Sequence, residues 1–67
     1  MIFKIQDDYI ELIKLLKATG LCETGSEAKQ VVSAGEVKIN GQIDLRMRLK
    51  VKKGDKVEYN KSTIDIE

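Results

Sequence analysis

Ten residues in the middle of this chain alternate without a break. Ile43, Leu45, Met47, Leu49 and Val51 interleave with Asp44, Arg46, Arg48, Lys50 and Lys52. In an extended backbone, successive side chains point to opposite faces. Whatever part of this stretch is extended should therefore turn its aliphatic residues to a core and hold a basic row outside. The basic row then becomes the first candidate for function.

The rest of the chain supplies the other side of that core. Tyr9, Leu12, Ile13 and Leu16 fall at i, i+3, i+4 and i+7, the apolar stripe of an amphipathic helix. Asp7 and Asp8 offer N-caps, with Glu11 in capping-box spacing from Asp8. Gly20 marks the helix end, and Lys14 and Lys17 fall on its wetter side. Thr24 and Glu27 repeat the capping-box spacing, Ala28, Val31 and Val32 form a second stripe, and Gly35 supplies a C-terminal cap. Lys29 and Gln30 point away from that stripe.

Met1–Ile5 reads as a short strand. Glu36–Asn40 alternates with Val37 and Ile39 inward, and Asn40-Gly41 is a preferred hairpin dipeptide. Gly54-Asp55 and Asn60-Lys61 mark further turns, around a strand holding Val57 and Tyr59. A last strand places Ile64 and Ile66 inward. The expected order is strand, helix, helix, then several antiparallel strands. The fold class is α+β, with two N-terminal helices packed on a small antiparallel sheet, in one domain spanning residues 1–67.

Size and composition narrow the function. The chain has 67 residues, and one this short buries only about 60% of its unfolded surface. That leaves little room for a deep pocket. Histidine is absent and Cys22 is the single cysteine. The commonest general base is missing, nothing activates the thiol, and no disulfide can form within the chain. The carboxylates are scattered, with no spacing that suggests acid–base or metal chemistry. Catalysis, a cofactor and a metal are therefore not expected. No apolar run is long enough to span a membrane, and the apolar N-terminus is too short for a secretory signal. A cytoplasmic, monomeric protein with no membrane partner is the expectation.

The net charge is only +1, but it is unevenly spread. Residues 28–56 hold eight basic residues against Glu36, Asp44 and Asp55, while the segments on either side each sum to −2. A basic island between acidic flanks suits a polyanion. Alternate residues of a strand lie about 6.6–6.8 Å apart, comparable with the phosphate spacing of a nucleic-acid strand. Arg46, Arg48 and Lys50 can then each meet a phosphate, the arginines as forks and the lysine as a point charge. The plainer reading is a solvated sheet face, and local pattern alone favours it slightly. Thr24, Gly25 and Ser26 open the second helix with free N–H groups and a hydroxyl, a candidate anion site that Lys29 extends. Ordinary capping explains Thr24 equally well. Core packing is the default for Tyr9 and Tyr59, with base stacking a lesser alternative.

Several of these pieces occur together in a recognisable order. Leu12-x-x-Leu15-Leu16, Gly20-Leu21, Ser26-Glu27-Ala28-Lys29, Gly35-Glu36-Val37-Lys38-Ile39-Asn40-Gly41 and Val51-x-x-Gly54-Asp55-x-Val57 resemble the ribosomal S-four-type RNA-binding domain, also called the alpha-L motif. The similarity covers about residues 9–59, and the absence of a second domain is similar to the small stand-alone members. The resemblance implies a non-catalytic module that binds structured RNA, ribosomal or transfer RNA, mainly through backbone phosphates. The ribosome or an RNA-processing protein are further implied partners. Carried over by position, the RNA-binding residues are Ser26, Lys29, Lys38, Arg46, Arg48 and Lys50, while Gly35, Asn40, Gly41, Gly54 and Asp55 shape turns. Many such domains have arginine where this chain has Glu11, and Ser-Arg where it has Thr24-Gly25. Both differences remove positive charge and shift the expected contacts toward Lys29 and the Arg46 row. The alternative is a protein–protein adaptor of the same fold, using the basic row against an acidic partner or a sheet edge for strand addition.

Overall fold

The computed structural model describes residues 1–67. Its elements follow as β1 (Ile2–Phe3), β2 (Ile10–Glu11), α1 (Leu12–Ala18), α2 (Gly25–Ser33), β3 (Val37–Ile39), β4 (Gln42–Ile43), β5 (Lys50–Val51), β6 (Lys56–Tyr59) and β7 (Ser62–Ile66). The two helices pack on each other and contribute six residues of a thirteen-residue hydrophobic core. Leu12, Leu15, Leu16, Ala28, Val31 and Val32 come from the helices, and Val37, Val57, Ile64 and Ile66 from the sheet.

The main sheet has the order β1-β7-β6-β3-β4, and β2 pairs with β5 in a separate two-stranded ladder. Two parts of the expected fold are corrected here. The helices are not N-terminal, because α1 starts at Leu12 after two strands. The sheet is mixed, because β1 runs parallel to β7, with Ile2 opposite Asp65 and Phe3 opposite Ile66. The Ile5 N–H adds a bond to the Glu67 carbonyl at 2.9 Å. The two ends of the chain thus close against each other, a pairing too distant in sequence for local pattern to reveal.

The start of α1 is also corrected. Neither Asp7 nor Asp8 caps it, and Glu11, at the N-cap, makes no side-chain capping bond. Ile10 and Glu11 are extended and pair with Val51 and Lys50. The first N–H groups of a helix lack intrahelical acceptors. Here the Leu12 and Ile13 N–H groups donate to the carbonyls of Leu49 and Met47, at 2.9 and 3.2 Å. The loop from Asp44 to Leu49 therefore serves as the cap, and Tyr9 lies outside the helix, exposed rather than in the core.

At α2 the local signals hold. Thr24 Oγ1 accepts the Glu27 N–H at 3.1 Å, and Glu27 Oε2 accepts the Glu23 N–H at 3.2 Å. The helix closes at Gly35 (φ +77°), with its N–H on the Val32 carbonyl and the Glu36 N–H on the Val31 carbonyl, both at 3.1 Å. That double bond is the Schellman closure, and its left-handed residue favours glycine. Asn40 and Gly41, at φ +52° and +86°, form the tight turn between β3 and β4.

Candidate nucleic-acid interface

The ten-residue alternation does not become one strand. Only Gln42–Ile43 and Lys50–Val51 are extended in ladders. The expectation that the aliphatic residues face a core fails for three of them, since Ile43 and Leu45 are each 59% exposed and Met47 38%. Leu49 packs partly and Val51 fully against the core. Two interactions break the strand. The Asp44 carboxylate accepts the Arg46 backbone N–H at 2.9 Å, folding the chain at that point. The Met47 and Leu49 carbonyls are taken by α1 rather than by a neighbouring strand.

The result is an exposed basic lip. Arg46, Arg48, Lys50 and Lys52 line one shallow depression together with Leu49, and all four basic residues are exposed. Of these only Arg46 is in an ion pair: its Nη2 lies 2.7 Å and its Nε 3.0 Å from the two Asp44 oxygens. Those hydrogen bonds hold the Asp44 carboxyl below its ordinary range and keep the Arg46 guanidinium protonated more firmly still. The Lys50 Nζ sits 5.0 Å from the centre of the Tyr9 ring, within cation–π distance.

The turn residues are bonded to one another behind this lip. Asp55 accepts the Lys52 N–H at 2.8 Å and the Asn40 Nδ2–H at 3.1 Å. Asn40 Oδ1 accepts the Lys56 N–H at 2.9 Å, and the Asn40 N–H donates to the Lys56 carbonyl at 2.8 Å. The Asn-Gly and Gly-Asp turns are thus one clamp, which fixes where β5 ends and where Lys52 emerges.

The candidate site residues fall into three groups. Arg46, Arg48 and Lys50 share the lip, joined by Lys52, which lies outside the expected RNA-binding set although it continues the same alternation. Lys38 lies on the outer face of the sheet, opposite Glu58 in β6 and Ile43 in β4, and lines a different depression with Glu36 and Lys61. Thr24, Gly25, Ser26 and Lys29 occupy the first turns of α2. The lip's neighbours Ile43 and Leu45 approach the other end of that helix: a Cβ built on Gly35 would lie 3.7 and 3.8 Å from their side chains. The N-terminal end of α2, the candidate anion site, and the lip are therefore not brought together. Cys22 is buried between the helices, and burial, followed by the Glu27 and Glu36 charges, pushes its thiol pKa up. That is the opposite of an activated nucleophile.

Comparison with known proteins places this architecture. The model of the S4 domain matches residues 3–67. The chain belongs to the S4 domain family. Among relatives of this S4 domain, YbcJ of Escherichia coli (strain K12) is 33% identical over 58 residues, covering 87% of this chain and 83% of YbcJ. YbcJ of Shigella flexneri matches to the same extent. The solution structure of E. coli YbcJ, described as revealing an alpha-L motif involved in RNA binding, superposes with a TM-score of 0.74 at 30% identity. The superposition covers 97% of this chain and 84% of that one.

Proposed function

We propose that this S4 domain binds structured RNA, ribosomal or transfer RNA, mainly through backbone phosphates and without catalysis. The observation that carries the reading is the basic lip, where four cationic side chains line one depression and only one of them, Arg46, is held in an ion pair. Affinity rests chiefly on Arg46, Arg48, Lys50 and Lys52. Ser26 and Lys29 on α2, and Lys38 on the sheet, lie apart from the lip and add smaller contacts with an RNA that extends beyond it. The description of YbcJ as carrying an RNA-binding motif supports the same ligand class.

Three or four phosphate contacts imply a log–log salt slope of about −2 to −4, depending on RNA form. The test is capture from lysate with the purified chain, with and without nuclease, followed by titration of the recovered RNA at several salt concentrations. Nuclease-sensitive capture with a slope in that range is expected. Recovery of a protein partner that survives nuclease would instead favour the adaptor reading. One observation supports that second reading: Ile43, Leu45 and Met47 leave aliphatic surface exposed beside the arginines, and such surface suits a protein partner.

A further inference from the structure

We infer that Tyr9 is a stacking platform for one unpaired base, so that the preferred ligand is a folded RNA presenting a bulged or looped-out nucleotide rather than a continuous duplex. This rests on the RNA-binding reading above and deepens it.

The chain has three aromatic residues. Phe3 and Tyr59 pack against the core, whereas Tyr9 is 41% exposed. Its position is fixed by backbone. Tyr9 immediately precedes β2, whose Ile10 and Glu11 are in register with Val51 and Lys50. Side chains two apart share a face of a ladder. The inner face carries Ile10 and buried Val51, and the outer face carries Tyr9, Glu11 and Lys50. The contact between the Lys50 ammonium and the Tyr9 ring is the diagonal pair of that outer face.

Tyr9 consequently borders two unlike surfaces. Lys50 connects it to the basic depression shared with Arg46, Arg48 and Lys52. Tyr9 also lines a second depression with Asp7, Ile10, Glu11 and Lys14. Asp7 makes no ion pair, and Glu11 is 3.5 Å from the Lys14 ammonium. Carboxylates repel phosphate, but they accept hydrogen bonds from the exocyclic amino groups of bases. Phosphate belongs on the Lys50 side of the ring and a neutral base on the Asp7 side. Proteins hold an unstacked base on an exposed aromatic beside a cationic track that takes its backbone, and here the Asp7 and Glu11 carboxylates add acceptors for an amino group of that base. In a continuous duplex every base face is already stacked, so the platform has nothing to receive.

The test uses the full chain and two labelled RNA hairpins, one carrying a single bulged adenosine and the other fully paired. Wild type should bind the bulged hairpin more tightly. Tyr9→Ala should weaken bulged-hairpin binding by about 5- to 100-fold and leave the paired hairpin unchanged, while Tyr9→Phe retains the preference. A fluorescent adenine analogue at the bulge should be quenched by wild type and by Tyr9→Phe, but not by Tyr9→Ala. Circular dichroism of each variant controls for folding. Equal wild-type affinity for the two hairpins, or an equal loss on both in Tyr9→Ala, overturns the stacking role. If Arg46→Glu/Arg48→Glu/Lys50→Glu still abolishes binding of both hairpins in that case, the phosphate reading survives alone. Failure of wild type to bind either hairpin overturns both.

Discussion

Two segments of this chain alternate apolar and polar residues, and they meet opposite fates. Ser62–Ile66 is a strand with β1 on one side and β6 on the other, and its Ile64 and Ile66 are buried. Residues 44–49 leave the sheet after β4, its edge, and the aliphatic side chains of Ile43, Leu45 and Met47 stay at the surface. The difference lies in the supply of hydrogen-bond partners. Every backbone polar group needs one. Neighbouring strands satisfy β7, whereas the Asp44 side chain and the first N–H groups of α1 claim the loop. The two regions differ in charge in the same way. On the outer sheet face Lys38 faces Glu58 and Lys56 faces Asp65. In the lip, Arg46 pairs with Asp44 and Lys50 stands opposite Glu11, while Arg48 and Lys52 have no carboxylate opposite them. The segment outside the main sheet is the one that keeps unopposed cations.

The largest expected difference between the two segments is in stability. Ile64→Ala, at a fully buried position, should cost about 2–5 kcal/mol. Leu45→Ala, with a largely exposed side chain, should stay within about 0.5 kcal/mol. Urea unfolding of the pair checks this, and equal losses would mean that the loop packs as the strand does.

A smaller effect is expected at the clamp between them. Asp55→Ala removes the acceptor for the Lys52 N–H and the Asn40 amide and should cost about 1 kcal/mol. Faster amide exchange at Lys52 than in wild type would localise the loosening.

The smallest effect concerns the carboxylate that pairs with Arg46. Asp44→Asn releases Arg46 from its ion pair while keeping a side-chain acceptor for the backbone N–H. RNA affinity should rise, and the salt slope should steepen by about 0.7–0.9 as one more phosphate is engaged. The sign with pH is fixed by the depressed Asp44 pKa. The pair is formed above the ordinary carboxylate range and is lost only as pH falls through the lowered value. Wild-type binding should then show no Asp44-dependent step near neutrality. A chemical-shift titration of the Asp44 carboxyl, followed alongside binding, checks both statements.

What the sequence made legible follows the same division. Signals that act within one turn held: the Thr24 cap, the Gly35 closure, the Asn40-Gly41 and Asn60-Lys61 turns, and the burial of Ile64 and Ile66. Signals that depend on a distant partner failed. Tyr9 fits the phase of α1 in sequence, but β5 pairs with Ile10 and Glu11 and delays the helix. The alternation through Leu45 and Met47 identifies which residues share a face in an extended chain, without supplying the strand that would keep it extended. Arg46, Arg48 and Lys50 came together because they are close in sequence. Lys38, equally basic, was carried to another face by the register of β3.

The most direct measurement compares two charge reversals of equal size in RNA binding. Arg46→Glu/Arg48→Glu/Lys50→Glu inverts the lip, and Lys4→Glu/Lys56→Glu/Lys61→Glu inverts three exposed lysines elsewhere. Both lower the net charge equally. The lip variant should lose binding with its circular dichroism unchanged, while the second variant keeps its affinity within a few-fold. Equal losses would reduce the interaction to net charge alone, and retained binding by the lip variant would place the RNA surface somewhere else.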